Sequence, residues 1–413
     1  MTAVPTTTRP DQPLDVLLLD AEIRQTLVTM RVLGRAGYRV GAVASASQAW
    51  WAPSLQSRYC ALRAVAPDLA PDAAAYAQAI LDLLDEHPAR LVVPPSDGTI
   101  HALRLRRAEF ERRSALPLAS EAALEIAISK RHTLALAREL GLAVPRTVPL
   151  ADASDLPAAV REVGLPAVIK PVESWAERRR IGTRLSAEVA VSLDDARRAV
   201  DHVQALGGCV LLQEWLPGRR EAVTQFYAYG RFWARMAQRS YREWPHLGGT
   251  SVLCETIALP ADLSADAARL VQAMDLEGSS MVEFRRDARG RAVLMEVNPR
   301  MAGSVALAVS AGVNMPELMA RWKLEQPLVE YTTYRTGRRL RWLAGDVWNL
   351  QGVFAKQGQP DVPPRLNAAA TFVADFFRPN VGYGLDRDDV RPLLAKLYNR
   401  VAGNGVRRAR AAR

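Results

Sequence analysis

The feature that most constrains this chain is the regular exchange of short apolar runs with helix-length stretches between residues 15 and 115. Residues 16–19 read as a strand and 22–33 as a helix; a turn at 34–38 leads into a second strand at 40–44. Residues 76–85 place Ala77, Ile80, Leu81 and Leu84 on one helical face, and 91–93 form a third buried strand running into Pro94, Pro95, Ser96 and Asp97. Strands alternating with helices of this length make parallel βαβ units in an open, doubly wound sheet. The glycine fingerprint of a dinucleotide site is missing, since Gly34 and Gly37 supply only an isolated G-x-x-G.

Beyond residue 118 the texture changes. Helices are expected from 121 and over 130–140, the second stopped by Gly141 with Pro145 beyond. Short helices at 156–163 and 194–206 then interleave with strands at 167–170 and 210–212. Residues 224–229 and 232–238 flank Gly230, and 280–284 and 292–297 flank a second turn, so antiparallel hairpins surround helices in an α+β body. With 413 residues the prior is near three domains. The expected division is a doubly wound unit at 1–118, a small lobe with linker helices at 119–222, a larger lobe at 223–325 and a C-terminal extension at 326–413, where little pattern is legible beyond an amphipathic stretch at 390–401.

Hydrophobic residues make up 49% of the chain, enough for packed cores, yet no 18-residue window is continuously apolar, which excludes a spanning helix. The opening MTAVPTTTRPDQPLD lacks the apolar run of a secretion signal, so a cytoplasmic protein is expected. Cys60, Cys209 and Cys254 are far apart and the five histidines are scattered, which argues against a disulfide framework or a zinc site. The +10 charge suggests a nucleic-acid partner at first. It is better read as compositional drift: 49 of the 54 basic residues are arginine, spread along the chain, and lysine survives only at 130, 170, 323, 356 and 396. No nucleic acid and no membrane are therefore expected as partners, and the retained lysines call for inspection.

The sharpest local signal is MVEF, RRDARGR, VLMEVNPR. Alternation along a strand points Glu296 and Asn298 the same way, and folding back through 287–290 sets Glu283 opposite Glu296 on that face. Two carboxylates and an amide oxygen then converge, an oxygen set that suits Mg²⁺, with Mn²⁺ as the alternative ion. The plainer reading is a solvated acidic hairpin; the Asn-Pro-Arg ending weighs against it, because Pro299 stops the strand and leaves Arg300 beside the ion. Lys130 follows Ser129, a candidate N-cap, and so sits in a first helical turn that favours anions, although a lone lysine there is usually a surface residue. Lys170 ends a short strand between Pro166 and Pro171, where a compact point charge is held at a strand terminus. Val210 through Gly218, VLLQEWLPG, is a buried strand leaving its sheet through a Pro-Gly turn, which exposes backbone groups beside apolar side chains.

In this order and spacing the pieces resemble the ATP-grasp superfamily over about residues 15–325, of the carbamoyl-phosphate-synthase-like or carboxylate–amine ligase type. The resemblance implies an ATP-grasp fold, α/β plus α+β, preceded by a Rossmann-like domain. It implies ATP and Mg²⁺ as cofactors. Lys130 and Lys170 would contact phosphates; Gln213, Glu214, Trp215 and Leu216 would hold adenine, with Glu221 on the ribose. Glu283, Glu296 and Asn298 would carry the metal, and Arg300, with Lys170, would act in catalysis. Ser96 and Asp97 would line the substrate side.

The activity so implied is attack of a small-molecule carboxylate on the γ-phosphate, then capture of the acyl phosphate by an amine or, less expected, a thiol. The loop WPHLGGTS permits close backbone approach, and Arg235, Gly248, Gly249, Thr250 and Ser251 are its candidates for the acceptor side; an ordinary glycine loop is an equal reading. The sequence departs from the family's pattern in the arginine-rich segment 173–182 and at Arg219-Arg220-Glu221. Two rivals are kept: a catalytically silent ATP-binding module, and nucleic-acid binding through arginines, which would show steep salt dependence. A homodimer is the candidate assembly.

Overall fold

The computed structural model describes residues 12–395 except 71, 179–180, 186, 246–248, 360 and 385, with side chains throughout that span except at 176–178 and 181–184. Its first unit is a four-stranded parallel sheet in the order Cys60–Ala66, Val40–Ser45, Leu14–Leu18, Ala89–Val93. The edge strand Cys60–Ala66 was not expected, because Arg63 interrupts its apolar run and its residues are mostly half-exposed. Connections leave Leu14–Leu18 and Ala89–Val93 in opposite senses, so the crevice at their carboxyl ends, between Asp20 and Ser96, is the switch point where such sheets bind ligands.

A second sheet, Thr147–Leu150, Val210–Glu214, Ala167–Pro171 and Glu188–Ala190, is antiparallel throughout. The helices Leu156–Val163 and Leu193–Ala205 cover one face around a separate apolar core of Leu156, Ile169, Val200 and Leu212. The third sheet has seven strands in the order Ala292–Asn298, Gly278–Arg286, Arg220–Ala228, Arg231–Trp244, Thr250–Ile257, Arg339–Arg341, Val381–Gly382. The strand Arg231–Trp244 runs six residues past the expected end at 238, into the turn before Thr250.

These sheets are joined unequally. One core cluster contains Leu17 and Tyr76 of the first unit together with Val282 and Leu270 of the large sheet and its helix Ala261–Met274. A second cluster likewise joins Val16 and Met30 to Phe226 and Trp322. The first and third sheets therefore pack as one body, whereas the small antiparallel lobe keeps its own core and faces them across a cleft. The chain's last described part pairs with the large sheet through Val381–Gly382 and docks on the first unit, where buried Asp389 accepts from Arg31 Nε at 2.9 Å, Ser57 Oγ at 2.8 Å and the Arg58 backbone N–H at 2.9 Å. Among the described residues no helix is long and apolar enough to cross a membrane.

Candidate active site

The hairpin Gly278–Arg286 and Ala292–Asn298 has Glu283 directly across from Glu296, with Ala222 beside Glu283 on the neighbouring strand. Asn298 lies two residues along the same face, and its Nδ2 is 3.4 Å from both Glu283 Oε1 and Glu296 Oε1. Its Oδ1 accepts from Arg300 Nη2 at 3.1 Å, and Arg300 grips Asp97 through Nε at 2.6 Å and Nη2 at 3.1 Å. Asp97 opens the helix Asp97–Arg104, capped by Ser96, so this arginine joins the large sheet to the switch point of the first unit.

Both lysines reach the same place, Lys170 from the small lobe and Lys130 from a helix packed on the large sheet. Ser129 caps the helix Lys130–Glu139, and Lys130 Nζ lies 3.2 Å from Ser174 Oγ and 3.8 Å from Glu296 Oε2. Lys170 is buried near the end of Ala167–Pro171. Burial lowers its amine to about 8 despite the attraction of Glu296, and Lys130 pushes the same way. For Glu296 burial opposes ionisation, but Lys130, Lys170 and Arg220 outweigh it and hold the carboxyl low. Burial raises Glu283, and Glu296 and Glu243 add to the rise against Arg220.

A buried and a half-buried carboxylate facing one another demand cations, and their oxygens, with an amide that presents Oδ1 after a half turn about its side chain, form a hard donor set fitted to Mg²⁺. Among the described residues no group of three or more His, Cys, Asp or Glu is arranged to hold a metal, so waters and ligand phosphates would have to complete the shell.

The strand alternation sorts the remaining candidates. Gln213 shares the Lys170 face of its sheet; Nε2 donates to Thr147 Oγ1 at 3.1 Å while buried Oε1 has no donor. Glu214 points to the opposite face, where Arg146 donates to it through its backbone N–H at 3.0 Å and Nε at 2.8 Å, so its carboxylate is not presented to the cleft. Leu216 is packed against Val293 and Met295, and Trp215 lies 5.3 Å from the Arg285 guanidinium.

Glu221 is likewise turned away: its partners in register are Phe284 and Arg239, and Arg239 and Arg286 hold it at 2.6 and 2.8 Å on the face that carries the helix Ala261–Met274. Arg235 lies on that face too, donating to the Ser264 carbonyl, and does not reach the site. The reason is one of parity: residue 220, not 221, falls in register with the metal face.

Gly248 lies outside the described residues. At Gly249 a Cβ would come within 2.0 Å of the Trp244 carbonyl, so close backbone approach is real there. Thr250 begins the next strand, and Ser251 Oγ accepts from Arg220 Nη2 at 2.7 Å.

Arg220 and Glu243 are site residues that sequence reasoning missed. Arg220 Nη1 is 3.0 Å from Glu283 Oε2 and its Nε is 3.1 Å from Glu243 Oε1, with all three side chains nearly buried. The signal was available in the alternation of Arg220 with Glu221, whereas Glu243 lay beyond the strand's expected end.

A family model described as ATP-grasp in the biosynthetic pathway with Ter operon matches residues 210–345, which hold both acidic strands and Arg220. A D-alanine–D-alanine ligase of Cupriavidus taiwanensis is 27% identical over 205 residues, covering 45% of this chain and 59% of that one. A formate-dependent phosphoribosylglycinamide formyltransferase of Anaeromyxobacter dehalogenans is 28% identical over 286 residues, 64% of this chain and 70% of that one. In structure, the biotin carboxylase domain of Hydrogenobacter thermophilus 2-oxoglutarate carboxylase, in complex with MgADP, ADP and bicarbonate, superposes with a TM-score of 0.63 at 15% identity, over 79% of this chain and 74% of that one. These likenesses support placing the chain in the ATP-grasp superfamily. Its ATP-grasp fold comprises the small antiparallel lobe and the large sheet, with the parallel unit preceding them. The chain spans only 59% of the length of the first of these ATP-grasp relatives.

Proposed function

We propose that this protein is an ATP-dependent ligase that activates a small-molecule carboxylate as an acyl phosphate and joins it to an amine, releasing ADP and phosphate. The observation that carries the reading is the convergence of Lys170, from the small lobe, and Lys130, from the helix beside the large sheet, on Glu283, Glu296 and Asn298 of the large sheet. Such a set brings cations to both sides of a polyphosphate, where repulsion between two anionic reactants is the main barrier.

In this scheme Lys130 and Lys170 bind the phosphates, and the orphaned Gln213 Oε1 offers an acceptor to the adenine amino group. The backbone from Gln213 to Leu216 flanks the base. Glu283, Glu296 and the Asn298 amide would hold Mg²⁺, which when bound supplies charge neutralisation at the β- and γ-phosphates. Arg300, fixed by Asp97, orients the substrate carboxylate. A carboxylate oxygen attacks the γ-phosphorus as the bond to ADP breaks; the amine then attacks the acyl carbon, phosphate departs with its bonding electrons, and the amine proton passes to solvent. Positioning in one cleft removes the entropic part of the barrier, and no protein nucleophile is required.

ADP release measured across a matrix of acids and amines tests the reading: turnover should need one of each and stop with EDTA. Magnesium-independent turnover, or ADP release indifferent to both, would contradict it. One observation favours a second reading, a silent ATP-binding module: Arg220 already occupies one oxygen of Glu283. Under that reading Glu296→Ala leaves the protein's function intact.

A further inference from the structure

The helices Leu343–Ala355 and Arg365–Ala374 close a cavity above residues 240–243 of the long strand, and they are turned inside out. Their polar groups point inward. Asp346 is fully buried between Arg242 and Arg341, each donating to it at 2.6 Å, and Asn349 donates to the Glu243 carbonyl at 2.7 Å. Buried Asp375, just past the second helix, pairs with Arg242 at 2.7 Å. Besides Asp346 the two helices carry one charged residue, Arg365, at an outer end.

The outward faces are apolar instead. Spacings of four and seven put Leu343, Val347 and Phe354 on one stripe of the first helix. Leu366 and Val373, seven apart, share a stripe of the second, and Phe377 follows just past its end. The helices pack on one another, and Arg365 Nη2 donates to the Phe354 carbonyl at 3.3 Å, so the stripes adjoin. Leu366 and Phe377 are 86% and 82% exposed, Val373 is 53% exposed, and the three on the first helix are 38–40% exposed. At about 200 Å² for a large apolar side chain, these six leave on the order of 600 Å² of apolar surface in water. That is the upper limit of what a monomeric protein leaves in one patch. It also matches one side of a standard interface, which buries about 800 Å² per partner, somewhat over half of it apolar. An apolar face is complementary to itself, so two identical chains bury it about a two-fold axis without a second specialised surface.

We propose that this face is the contact between two copies of the chain, with Leu366, Val373 and Phe377 of each at its centre. The contact backs the candidate active site: the same helices hold Arg242 and the Glu243 carbonyl, and the Glu243 carboxylate fixes Arg220 at 3.1 Å beside Glu283. The pairing does not depend on the ligase reading.

Sedimentation velocity of the full chain tests it. At about 20 μM the wild type should sediment at twice 45.3 kDa. Leu366→Glu/Phe377→Glu and, separately, Val373→Arg should weaken pairing at least a hundredfold. All three positions are exposed, so neither variant opens the core, and an unchanged far-UV spectrum checks the fold. The proposal is overturned if the wild type stays at 45.3 kDa up to about 50 μM, or if either folded variant pairs as tightly as the wild type. A monomeric wild type that co-sediments with vesicles of phosphatidylcholine and phosphatidylserine would give the face to a membrane, and overturns the proposal too.

Discussion

Replacing Arg220 by glutamine removes the cation shared by two carboxylates that the fold has buried. Its Nη1–Glu283 and Nε–Glu243 contacts are 3.0 and 3.1 Å, the three side chains are 16% exposed or less, and the Ser251 hydroxyl accepts a third bond at 2.7 Å. Breaking a buried pair by deleting one partner costs about 3–5 kcal/mol, because the remaining charge is neither paired nor hydrated. At about 1–2 °C per kcal/mol for a chain of this size, the melting temperature should drop by roughly 3–10 °C. Differential scanning calorimetry at pH 7.5 measures it. Two controls locate the cause: Arg220→Gln/Glu243→Gln should lose less than the single variant, and the single variant's deficit should shrink at pH 5, where the orphaned carboxyls accept protons. A drop under about 2 °C, or a double variant worse than the single, would refute the reasoning.

Other outcomes follow from the same geometry. Burial, helped by Glu22, pushes Asp20 from 3.8 to about 7, so the native state keeps a proton that the unfolded chain sheds and stability falls as pH rises from about 4 to 7. Asp20→Asn, which the positive φ of 50° tolerates, should be as stable as the wild type at pH 3.5 and more stable above pH 7 by on the order of 4 kcal/mol, as read by denaturant titration. Lys170, held near 8, is charged below that pH and neutral above it, so the KM for ATP should rise between pH 7.5 and 9.5; Lys170→Arg should flatten that rise. A methyl group at Gly98 would come within 2.8 Å of the Trp175 ring, so Gly98→Ala should displace the hairpin that Trp175 begins and speed limited proteolysis within 175–184.

The legibility of the sequence divides along physical lines. Period-2 alternation and a proline stop are local, so the Glu283–Glu296–Asn298 face could be read from VEF and MEVNPR before any fold was known. The doubly wound unit was legible for the same reason, except for Cys60–Ala66, an edge strand whose half-exposed residues carry no strong pattern. Glu214 and Glu221 were assigned to the nucleotide by motif position, yet each points away, because the residue's parity within its strand decides its face and one step reverses it. Arg300 gripping Asp97 across 203 positions, and the closure of a cavity by helices near the chain's end, depend on tertiary packing that no local signal encodes.

The account depends above all on the two carboxylates and the amide holding a divalent ion against a nucleotide. Manganese paramagnetic resonance, titrating Mn²⁺ into the protein with a non-hydrolysable ATP analogue, reads that directly. The wild type should bind the ion at least tenfold more tightly with the analogue than without it, and Glu296→Gln should abolish the gain. Equal Mn²⁺ affinity in the wild type and the variant would contradict the account.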